Sequence, residues 1–152
     1  MVVSHMTARQ TTITVCASGC DQTSFAAALT AAVCGDTIQL AASETFTGNF
    51  VLPNTAVCAT PITIRSSEHA NAAFPAAGTR AGVGRTLTIG GVTFTTPDHR
   101  ALMPNIQASA GGLPAIRVAT SGRDYRFEGI EFPAHPEGFN VILEIGENTT
   151  AQ

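Results

Sequence analysis

Apolar and polar positions alternate with a period of two in many short stretches of this chain, and follow a helical period in one. Thr12 to Val15 (Thr-Ile-Thr-Val) alternates and reads as a strand. A turn follows at Ala17-Ser18-Gly19-Cys20-Asp21. Asp21 or Thr23 is then placed to cap a helix over Ser24 to Val33, where a side-chain oxygen satisfies an N–H of the first turn. Phe25, Leu29, Ala32 and Val33 form its one apolar stripe, and Gly35-Asp36 supplies the stop.

After the helix the pattern shortens. Ile38-Gln39-Leu40, Phe50-Val51-Leu52 and Ile62-Thr63-Ile64 read as strands, each starting 12 residues after the last. Gly48-Asn49 and Pro53-Asn54 mark the gaps, and no two-residue hairpin turn joins the triplets. Such spacing predicts one coil of a parallel β-helix, with three short strands per turn of a solenoid. Further strands are expected at Asn105 to Gln107, Ala115 to Val118, Tyr125 to Phe127, Gly129 to Phe132 and Val141 to Ile145. Alternation puts Ile116, Val118, Tyr125, Phe127, Ile130 and Phe132 inside, and Arg117, Arg126, Glu128 and Glu131 outside. Between the two blocks, Ser67 to Met103 reads as an irregular insertion rich in Ala, Gly and Pro. Within it, Leu87 to Phe94 predicts a hairpin turning on Gly90-Gly91. An insertion of that length in a compact domain points to function or mobility.

Composition narrows the classes. At 152 residues the chain is expected to be one domain over 12–152, with 1–11 a tag remnant or disordered N-terminus. Ser4-His5-Met6 reads as an expression-vector scar. Charged residues are 12%, about half the ~25% of an average domain, with eight Arg, no Lys and a net charge of −3. The basic footprint of a nucleic-acid binder is therefore missing, and nucleic acid is not expected as a partner. A hydrophobic content of 44% argues against disorder. No apolar run approaches the ~18 residues of a membrane span, so no membrane partner is expected.

All four cysteines, Cys16, Cys20, Cys34 and Cys58, fall in the first 58 residues. An even, clustered set suits two disulfides in an exported protein, in any of three pairings. Buried free thiols are a second reading. Zinc is a third, served only by Cys16-x₃-Cys20, because Cys34 and Cys58 make no second close pair.

Cys34-Gly35-Asp36-Thr37-Ile38-Gln39-Leu40, Phe46-Thr47-Gly48-Asn49-Phe50 and Pro61-Ile62-Thr63-Ile64-Arg65-Ser66-Ser67 carry a resemblance. Together they resemble the N-terminal start of right-handed parallel β-helix proteins of the pectate-lyase-like superfamily, and more narrowly large bacterial β-helix proteins. Tyr125-Arg126-Phe127-Glu128-Gly129-Ile130-Glu131-Phe132 and Leu143-Glu144-Ile145-Gly146 resemble the following coils. The resemblance implies an all-β, right-handed parallel β-helix fragment with an N-terminal α-helical cap. It also implies a carbohydrate-related history, for a parent that the cysteines read as exported. No catalytic motif of that superfamily maps onto these residues. Thr149-Thr150-Ala151-Gln152 looks like a turn between coils, so the chain is expected to be truncated from a larger protein. The open end lined by Val141, Leu143 and Ile145 is then expected to self-associate, most simply as a two-fold homodimer.

Candidate chemistry rests on few residues. His69, His99 and His135 each sit beside a carboxylate, as in Glu68-His69, Asp98-His99-Arg100 and His135-Pro136-Glu137. His69, Asp98, His99 and His135 are thus the candidate metal ligands, and a zinc-like divalent ion there would activate water for a small metal-dependent hydrolase. The plainer reading is a set of solvated loop histidines. Glu128 and Glu131, with Glu144 a coil later, are the candidate catalytic pair of a polysaccharide lyase or glycoside hydrolase, or a calcium site. The plainer reading there is a solvated acidic stripe. The leading expectation for the whole is a structural or carbohydrate-contacting module with polysaccharide as its ligand.

Overall fold

The computed structural model describes residues 10–55, 57–79, 81–120, 122–138 and 143–144. Along the chain run β1 (Thr12–Val15), α1 (Phe25–Ala31), β2 (Thr37–Leu40), β3 (Thr45–Thr47), β4 (Phe50–Leu52) and β5 (Ile62–Ser66). Then come β6 (Thr86–Ile89), β7 (Val92–Thr95), a 3-10 turn (Arg100–Leu102), β8 (Asn105–Gln107), β9 (Ile116–Val118), β10 (Tyr125–Glu128) and β11 (Leu143–Glu144).

Alternation in the strands builds a two-faced sheet. Strands β1, β2, β5 and β10 pair in that order, all parallel. Its inner face carries the cross-strand row Ile13, Ile38, Ile64 and Phe127. A second inner row holds Val15, Leu40 and Ser66. The opposite face is polar, with Thr14, Gln39, Arg65 and Glu128 in one row and Thr37, Thr63 and Arg126 in the next. A period of two thus separates a core from a flat polar surface.

The other strands form a parallel sheet β11-β9-β4, a parallel pair β3-β8 and the antiparallel hairpin β6-β7. Ile106 of β8 and Ile116 of β9 join Val15, Ile38, Leu40, Leu52, Ile62 and Ile64 in one buried cluster. Helix α1 covers part of it through Phe25, whose ring meets Phe50 edge-on at 4.8 Å and Phe46 at 6.3 Å. The helix cap is Ser24, whose Oγ accepts the Ala27 N–H at 3.4 Å. Asp21 or Thr23 was the expected cap; the Asp21 carboxylate instead accepts from the N–H and hydroxyl of Thr14. Thr11, expected in the disordered leader, is tied down: its N–H donates to Asp36 at 2.9 Å and its carbonyl accepts from Thr37.

The expected right-handed parallel β-helix is corrected by this arrangement. The short strands lie in four small separate sheets, of four, three, two and two strands, one of them antiparallel, and no solenoid is evident among the described residues. The protein is mostly β, but the cap of a solenoid is not the role of α1. Strand–turn repetition every dozen residues arises in any chain of short strands and short loops. It fixes neither which strands pair nor whether sheets line up into coils. The cysteines form Cys16–Cys20 and Cys34–Cys58.

Ser66 shows how the irregular segment is anchored. It is fully buried, its Oγ donates to the Leu102 carbonyl at 2.5 Å and accepts the Glu68 N–H at 3.0 Å. Ser66→Ala leaves both partly buried partners without it. The expected loss is about 1–3 kcal/mol of unfolding free energy, read by urea denaturation. An unchanged midpoint would show that water replaces the hydroxyl.

Candidate functional site

The polar face of the four-stranded sheet ends at a groove. Strand β5 runs into successive tight turns, in which the N–H groups of His69, Asn71 and Phe74 return to the carbonyls of Ser66, Glu68 and Asn71. These turns bring the segment after β5 alongside β10, which is paired in register with β5. Asn71 is oriented by its Nδ2 donation to Glu68 Oε2 at 2.7 Å. Phe74 folds over Gly129, which has φ +64° and no side chain. A Cβ there would fall within the Phe74 ring, so the glycine meets both a backbone and a space requirement.

Between these elements lies a cavity of about 570 Å³, lined by His69, Asn71, Phe74, Met103, Arg126 and Glu128 among others. Glu128 is its electrostatic centre. Its Oε1 lies 2.6 Å from Arg126 Nε as an ion pair, and its Oε2 lies 3.2 Å from His69 Nε2. The Glu128 side chain is 19% exposed, whereas that of Arg126 is 66% exposed. The carboxylate is therefore held in place while the guanidinium keeps most of its donors toward solvent. Across the strand pair Glu128 stands opposite Arg65, whose Nε is buried with no hydrogen-bond partner among the described residues. The His69 ring lies 5.6 Å from that of Phe74. The site thus combines planar donors and acceptors with one aromatic ring.

The other expected ligands are occupied elsewhere. Asp98 is clamped by Arg100, whose Nε and Nη2 both reach its carboxylate, the shortest contact being 2.6 Å. These hydrogen bonds hold its carboxyl down at about 2. His99 Nδ1 accepts the Gly82 N–H at 2.8 Å. His135 is 5% exposed, its Nδ1 accepting the Glu137 N–H at 3.1 Å and its Nε2 lying 3.1 Å from the Leu113 carbonyl. That pattern places the ring proton on Nε2. Glu137 in turn accepts from the N–H groups of Gly111 and Gly112. His135 and Glu137 therefore fasten a glycine loop. Among the described residues no three His, Cys, Asp or Glu side chains gather where they could hold a metal ion. The expected set of His69, Asp98, His99 and His135 does not converge.

Glu128 and Glu131 are also parted. Gly129 turns the chain between them, and Glu131 bridges to Asn105 at the edge of β8 while Glu128 stays in register with β5. Glu144 pairs with Arg117 of β9, in a different sheet from Glu128. Glu128 was expected outside; it stands in the polar row with Arg65, with its side chain 19% exposed.

Sequence reasoning picked His69 and Glu128 separately, for different chemistries. Their meeting follows from the parallel pairing of β5 with β10, across residues far apart in the chain. Asn71 and Phe74 carry no periodic or motif signal. Comparison with protein-family models, with curated proteins and with solved structures finds no match.

Proposed function

We propose that this protein is a disulfide-stabilised extracellular module that contacts carbohydrate through the groove beside β10. The observation that carries the reading is the convergence of His69, Asn71, Arg126 and Glu128 with the Phe74 ring around one cavity. Sugars present hydroxyls that pair well with planar amide, guanidinium, imidazole and carboxylate groups. They also present apolar C–H faces that pack against an aromatic ring. The polar rows of Thr37, Thr63, Gln39 and Arg65 continue that surface across the sheet, giving an extended chain further positions to bind. Two disulfides suit an oxidising compartment.

The test is titration with a panel of soluble oligosaccharides, neutral and uronic, followed by calorimetry and by amide shifts of the groove residues. Arg126→Ala and Asn71→Ala are each expected to weaken binding by roughly 10-fold or more, the worth of a hydrogen bond lost in a desolvated site. A protein that binds no member of the panel, or binds equally well in both variants, would refute the reading.

The His69–Glu128 contact favours a second reading, a polysaccharide-cleaving enzyme in which Glu128 orients His69 as a general base. The two readings separate cleanly. Glu128→Gln would then abolish chain cleavage while saccharide binding persists. Under the first reading neither protein cleaves.

A further inference from the structure

The hairpin β6-β7 has one face satisfied within itself and one left open. Its register pairs Thr86 with Thr95 and Thr88 with Thr93 on one side. These hydroxyls meet at 3.3 and 3.1 Å. On the other side Leu87 stands opposite Phe94 and Ile89 opposite Val92. All four remain 56–62% exposed. Among the described residues no third strand pairs with β6 or β7. A lone two-stranded hairpin is marginal in water.

The devices that blunt an exposed strand are missing here. No Asp, Glu, Lys, Arg or His occurs from Thr86 through Pro97, no proline interrupts either strand, and the ladder has no bulge. The lack of charge also selects the occupant. A chain of net charge −3 meets its own copy with least repulsion on a face that carries none. A lipid surface would call for interfacial Trp or Tyr, or for lysines near anionic headgroups. The hairpin has no Trp, Tyr or Lys.

We infer that β6-β7 is a self-association surface, on which a second copy of this chain lays the apolar face of its own hairpin about a two-fold axis. The same patch serves both copies, as an isologous contact requires. Four half-covered side chains offer roughly 100 Å² apiece, so the pair removes roughly 800 Å², about half a standard interface. A contact of that size makes a weak, reversible dimer.

Sedimentation equilibrium tests this on the whole chain from about 10 μM to about 1 mM, a range that brackets such affinities. The average mass is expected to rise from 15.7 kDa toward twice that value. Leu87→Thr with Phe94→Thr should hold the mass at 15.7 kDa with an unchanged circular dichroism spectrum. Should that pair disturb the fold, Phe94→Lys sets like charges against each other across the axis and is expected to give the same monomer. A wild-type protein monomeric throughout, or a dimer indifferent to these substitutions, overturns the inference. So does a monomer that binds neutral vesicles through the hairpin. The variants leave every groove residue in place, so saccharide binding reports on the groove independently.

Discussion

Replacing Ile64 by alanine is expected to remove about 3–4 kcal/mol of stability, while the same change at Ile89 shifts it by no more than about 0.5 kcal/mol. The two residues are chemically identical and both lie in strands. Ile64 is 0% exposed, at the centre of the row formed with Ile38 and Phe127. Ile89 is 62% exposed on the hairpin. Truncating Ile64 forfeits the transfer of its methyl groups and opens a cavity between strands that pair on both sides of it. A domain of this size has about 5–15 kcal/mol to lose, so the Ile64 variant should unfold at far lower denaturant. Equal effects at the two positions would mean that the four-stranded sheet is not where the core lies.

Breaking the Cys34–Cys58 bridge should cost a similar amount. The two residues are 24 apart in sequence and enclose β2, β3 and β4. Opening a loop of that size returns about 3.5 kcal/mol of chain entropy to the unfolded state at 25 °C. For Cys34→Ala with Cys58→Ala this corresponds to a melting temperature lower by roughly 10 °C. The Cys16–Cys20 bridge closes only a four-residue step and should matter less, about 2 kcal/mol on the same basis. Thermal melts of the two double variants decide the order. A Cys34–Cys58 variant that melts within about 2 °C of wild type would show that strand pairing alone holds this region.

Local pattern located the elements better than it located their partners. Thr12 to Val15, Phe50 to Leu52, Asn105 to Gln107 and the Leu87 to Phe94 hairpin all lie in strands, because alternation and turn chemistry act over a few residues. Strand β3 was missed: Thr45-Phe46-Thr47 is too short to show a period, and it is a strand because β8 pairs with it. Gly129 to Phe132 was read as a strand and makes a single bridge, at Glu131, among the described residues, since the positive φ of Gly129 ends the ladder. The larger error was architectural. Spacing between strands resembled coils, yet sheet membership is decided by contacts between distant residues, which spacing does not encode. The C-terminal strand expected over Val141 to Ile145, and the open end drawn from it, lie outside the described residues apart from Leu143–Glu144.

The groove was legible only in fragments. His69 and Glu128 were chosen for their chemistry, but nothing in either neighbourhood shows that they share a carboxylate–imidazole contact. Conversely, His135 beside Glu137 looks like a ligand pair in sequence and is a fastener in three dimensions, because the glycine loop at 111–113 needs acceptors for its N–H groups and a donor for its carbonyl. Which role a histidine plays depends on which backbone groups lie unsatisfied nearby.

The pairing of β5 with β10 also sets an order of events during synthesis. Ile62 leaves the ribosome well before Tyr125, the residue it must sit beside. At about 5–20 residues per second the wait lasts several seconds. Over that interval β2 and β5 can already pair, and the bridge that encloses β2 to β4 can already close. The edge of β5 that β10 will cover stays open. The hairpin β6-β7 lies between them in sequence and pairs only with itself among the described residues, so it does not cover that edge. A nascent chain held at this stage is the form most exposed to mispairing, and translation speed between residues 67 and 125 becomes a determinant of yield.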